Sequence, residues 1–90
     1  NEMSAESLAT KYIGSMEKTI KEMRQEKDII VISEECVNEI LGYVTSYLED
    51  AKYFRDQGKF ETSLTSIAYC EGLLDTLKLI GAVKIQEKSQ

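Results

Sequence analysis

Ninety residues make one domain with a thin core, since a chain this short buries only about 60–65% of the surface its unfolded form exposes. Apolar residues are 42% and charged residues 30%, a globular balance, and neither proline nor tryptophan occurs. The net charge of −5 excludes a chain that binds nucleic acid or an anionic membrane surface non-specifically, because both need clustered Lys and Arg.

Along the chain, Ser4 reads as the N-cap of a first helix over residues 4–27, with Glu6 in its first turn. Leu8, Tyr12, Met16, Ile20 and Met23 recur at spacings of four and three, one stripe of a 3.6-residue period widened by Ala5, Ala9 and Ile13. Glu17 stands four before Lys21, the favourable order for a helical ion pair. "DIIVI" (residues 28–32) breaks the period with a β-branched run that suits extended backbone.

Ser33, followed by Glu34 and Glu35, caps a second helix over 34–57, with Ile32 and Val37 placed for a hydrophobic staple. Its stripe is Val37, Ile40, Leu41, Val44, Tyr47, Leu48, Ala51 and Phe54. Gly58 ends it, and a third helix follows over 60–80 with Leu64, Ile67, Ala68, Leu74 and Leu77 as its core and Gly81 as its stop. Beyond it, "AVKIQEKSQ" is either extended, beside "DIIVI", or frayed.

A link of one or two residues forces helices two and three into an antiparallel hairpin. The expected fold is all-α, an up-down-up antiparallel three-helix bundle forming a single domain over residues 1–90. No run approaches the roughly 18 apolar residues of a membrane span, and no signal-peptide pattern is present. The expected location is cytoplasmic. Cys36 and Cys70 read as two small buried hydrophobes, too distant along the hairpin to bond to each other.

Chemistry is sparse. The chain has no histidine, which excludes Ser-His-Asp and Cys-His catalysis and histidine zinc sites. It has no CxxC and no glycine-rich phosphate loop. Acid pairs at helical spacing, Glu22/Glu26, Glu35/Glu39 and Glu71/Asp75, are explained by solvated faces. We expect no enzyme, no catalytic or metal residue and no cofactor.

The interior glycines are the most informative feature. Gly14, Gly42 and Gly72 each sit well inside a helix, where glycine costs about 1 kcal/mol relative to alanine. Close helix approach at the waist of the bundle is the expected compensation; the alternative is a dent that receives a partner's side chain. Gly72 lies in a small-residue strip with Ala68 and Thr76, so Gly72→Ala is expected to destabilise. Glu71 is expected near the core seam, with a hydrogen-bonding partner.

Gly58 and Phe60 at the turn, then Ala68, Tyr69, Glu71, Gly72, Leu73, Leu74 and Asp75, resemble a small archaeal helical family known as domain of unknown function 357. The resemblance implies a stand-alone three-helix bundle, sometimes appended to nucleotidyltransferase-like domains, and supplies no activity.

The first functional expectation is a protein-interaction or self-association domain, with Tyr69, Glu71, Gly72, Asp75, Gly14 and Gly42 as candidate contact or packing positions. Tyr43, Tyr47 and Tyr53 offer interface-type surface or a core edge. The second, by resemblance alone, is an accessory or regulatory domain of a nucleotide-handling enzyme, with a ligand near Tyr69, Glu71 and Asp75. Partners are then a protein or a second copy, with neither nucleic acid nor membrane.

Overall fold

The structure is a computed structural model that describes residues 4–86. Its elements are α1 (Ala5–Glu22), α2 (Glu34–Asp56) and α3 (Phe60–Leu79), with no strand among the described residues. The all-α class and the three helices agree with the sequence reading, and α2 and α3 pack on each other as expected. The chain divides into two compact units, Asn1–Ile30 with α1 and Val31–Gln90 with the α2–α3 pair.

In the first unit, Ser7 N–H donates to Ser4 Oγ at 3.0 Å, the anticipated cap. Helix α1 stops at Glu22, five residues before the expected end, and Met23 turns to extended backbone at ψ 152°. The residues beyond Met23 account for the early stop. Arg24, Gln25, Glu26 and Lys27 add nothing apolar to the stripe, and a helix persists mainly by packing such a face. Leu8, Tyr12, Met16, Ile20 and Met23 do share one side, and all are exposed. Glu17 and Lys21 make no ion pair; the pairs among the described residues are Lys52–Glu49, Arg55–Asp56 and Lys78–Asp75.

The second unit begins with the cap at Ser33, whose Oγ accepts from Cys36 N–H at 3.1 Å. Both α2 and α3 end in the same device. Gly58 N–H donates to Arg55 O and Lys59 N–H to Phe54 O; Gly81 N–H donates to Lys78 O and Ala82 N–H to Leu77 O. This is the Schellman pattern, with the glycines left-handed at φ 74° and 77°.

Two side chains tie the hairpin. Ser63 Oγ donates to Ala51 O at 2.6 Å, and Cys70 Sγ donates to Val44 O at 3.2 Å. Each pair of residue numbers sums to 114, so the register runs antiparallel about the turn and sets Val37 opposite Leu77. Val37, Val44 and Ala51 on α2, and Ser63, Cys70 and Leu77 on α3, are spaced by seven, a coiled-coil-like seam. Among the described residues only Ala51, Cys70 and Leu77 are buried, Leu77 to 1% exposure, so the core is as thin as the length implies.

Two members of the expected α3 core are corrected. Leu64 is 66% exposed and Ala68 is exposed, because the helix turns them away from α2. Ser63 and Cys70 occupy the seam instead, where small side chains let the backbones meet. Cys36 is likewise exposed rather than buried, and both cysteines are free. The register sets Cys36 eight residues beyond Val44, Cys70's neighbour, about 12 Å along the axis at 1.5 Å per residue.

After Gly81 the chain turns back: Ile32, Glu34, Val37, Ile80, Gly81 and Ala82 line one groove, and Ala82 and Val83 are half-buried. No ladder forms there; residues 87–90 of the tail lie outside the described ones.

Candidate interaction surface

With Cys70 defining the direction of α2, 100° per residue places every other α3 side chain. Ser63, Ser66, Ile67, Leu73, Leu74 and Leu77 fall within about 60° of it and are half-buried or buried. Ala68, Gly72 and Thr76 fall on the far side. The small-residue strip therefore exists but faces away from α2, and close packing within the hairpin does not explain Gly72. A Cβ built on Gly72 meets nothing within 4 Å, and the same holds at Gly42 and Gly14. Gly42 lies half a turn from Ala51, and Gly14 lies opposite Met16, so each interior glycine sits on the back of its helix.

Glu71 is also corrected: it is exposed and outside the seam, so it needs no protein partner. Asp75 shares that side and lies 3.8 Å from Lys78 Nζ. Tyr69 does not join them. Two residues along a continuous helix separate it from Glu71 by 200°, so Tyr69, Glu71 and Asp75 do not form one ligand site. Tyr69 instead meets Tyr47 edge-on, with centroids 4.5 Å apart and planes at 69°.

The hairpin thus presents two flanks beside its seam. On one, Leu48, Ala51, Lys52, Arg55, Ser63 and Ile67 line an open groove of about 230 Å³, continued by Leu64, Glu71 and Lys78. Its charges are of both signs. On the other, Glu39, Tyr43, Tyr47 and Asp50 follow one another at spacings of four, four and three along α2, facing Tyr69 of α3. Tyr43 Oη reaches Glu39 Oε1 at 3.5 Å, and no Lys or Arg of α2 or α3 stands at this register. Tyr43 and Tyr69 are 52% and 53% exposed. Tyr53 points off this row, edge-on to Phe54.

Helix α3 is apolar beyond what its contact with α2 uses. Phe60, Leu64, Tyr69 and Leu79, with Ile80 at the C-cap, are all at least half exposed. A helix with apolar residues around much of its circumference is ordinarily covered on more than one side. The sequence reading of Cys70 as a small buried hydrophobe holds, while Ser63 and the Tyr47–Tyr69 pair were missed as structural contacts. The seven-residue spacing of Ser63, Cys70 and Leu77 was the available signal for Ser63, masked because serine does not score in an apolar stripe.

Among the described residues, no three His, Cys, Asp or Glu side chains gather where one metal ion could be held. No helix among them is long and apolar enough to cross a membrane. A family model described as "Protein of unknown function (DUF357)" matches residues 11–83. No curated protein matches the chain. No solved structure matches it either.

Proposed function

The chain belongs to the DUF357 family, whose function is unknown, and on that footing we propose that it is a non-catalytic helical module acting by protein contact, with another protein or a second copy. One observation carries this reading: α3 and its C-cap leave Phe60, Leu64, Tyr69, Leu79 and Ile80 exposed although the seam with α2 is already complete. Apolar side chains left exposed around one helix give it surface for contact beyond its seam. The histidine-free composition supports a role without acid–base or nucleophilic chemistry. The acidity of α2 and α3, nine acids against three bases, supports a protein partner over nucleic acid. Cytoplasmic action belongs to the same proposal.

The test compares affinity capture from the native host by the wild-type chain and by Leu64→Glu/Leu79→Glu, with solution mass measured alongside. A defined partner, or a dimer, that the double variant loses supports the reading. A wild-type monomer whose captured set matches that of the variant contradicts it. Stabilisation by a nucleotide in a thermal-shift screen would favour the accessory-domain reading instead.

A further inference from the structure

We propose that the tyrosine flank of the hairpin, Glu39, Tyr43, Tyr47, Asp50 and Tyr69, is a docking face for an amphipathic helix carrying arginine or lysine at both ends of its apolar stripe. This rests on the interaction reading above and names the partner's chemistry.

Three tyrosine rings form the middle of the face, and Tyr47 and Tyr69 hold each other edge-on across the two helices. Exposed tyrosine faces attract cations, and arginine stacks on them. Glu39 and Asp50 close the two ends, eleven residues apart on α2, which is about 16 Å at 1.5 Å per residue. No basic residue of α2 or α3 stands at this register to neutralise them. The opposite flank offers no such sign: Lys52, Arg55 and Lys78 there mix with Glu71. A second copy would bring the same two carboxylates to the face and is the poorer occupant, because like charges brought together are repelled. A helix laid along α2 with cations eleven residues apart would meet both carboxylates while its apolar residues cover the rings.

The probe is a synthetic 18-residue helix with a leucine stripe and arginines eleven residues apart, beside matched peptides with glutamine or glutamate at those positions. Each is titrated against the full chain by fluorescence anisotropy, at low and high salt. The arginine peptide is expected to bind about tenfold tighter than the glutamine peptide, the glutamate peptide weakest, and the difference to shrink in salt. Glu39→Gln/Asp50→Asn is expected to remove most of that preference. Glu49→Gln/Glu61→Gln changes the net charge by the same amount away from the face and is expected to keep it; circular dichroism checks that both variants remain folded.

If both variant pairs lose the preference equally, net charge alone attracts the peptide; the docking face is then wrong while the interaction reading stands. Equal binding of all three peptides overturns the charge assignment. A dimer by light scattering that Tyr43→Glu dissociates, with no peptide bound, makes a second copy the occupant and overturns the proposal. No peptide binding, no dimer and no variant-sensitive partner would overturn both proposals.

Discussion

Glycine has two separate roles in this chain, and the residue scale separates them. Gly58 and Gly81 are left-handed and close Schellman turns, so a Cβ there is strained although space is free. Gly58→Ala is expected to destabilise by about 1–2 kcal/mol, a fall of several degrees in melting temperature. Gly42 and Gly72 are helical, and the space around them is open. Alanine at either should stabilise the free chain by about 0.5–1 kcal/mol, read as a higher melting temperature with unchanged mass. If Gly72→Ala melts higher yet loses a partner, the back of α3 is a contact surface; if it melts lower, a close packing absent from the described structure is at work. The two cysteines differ as sharply. Cys36 should react at once with a thiol reagent and Cys70 only on the timescale of opening, as Cys70 is buried with its Sγ on Val44 O.

At the scale of the element, helix starts and stops were legible because each has a local chemical cause. Ser4, Ser33, Gly58 and Gly81 act where their residue types put them. The end of α1 was not legible, since its polar continuation carries no stop signal and only the lack of further burial ends it. The orientation of α3 was misread for a related reason. Its apolar residues surround much of the helix, so periodicity alone cannot say which side meets α2. The seam is decided by size, with Ser63 and Cys70 admitting the α2 backbone at Ala51 and Val44. Ser63→Ala should cost about 0.5–1.5 kcal/mol, the usual net worth of a hydrogen bond, in a urea titration with unchanged slope. Ser63→Leu should cost more, because extra volume at a close approach forces the helices apart. An equal cost for both would mean that Ser63 sits in looser surroundings than its 2.6 Å bond to α2 indicates.

At the scale of the whole molecule, two units meet the problem of a small core in the same way. Helix α1 carries a stripe with no buried member, and the α2–α3 hairpin buries three residues while exposing apolar side chains on α3. Domains of this size are marginal unless something further is buried, and here the unburied apolar side chains have a definite address. The central claim is that the outer side of α3 belongs to the surface of the free hairpin, as the proposed contact role requires. It is tested most directly by the thermal melt of Leu64→Gln/Leu79→Gln, at a concentration where light scattering gives a monomer for both proteins. The account predicts a midpoint within a few degrees of wild type, because these side chains are 66% and 86% exposed and surface substitutions stay near ±0.5 kcal/mol each. A midpoint lower by about 10 °C or more would contradict it, since a loss of that size is what core leucines give.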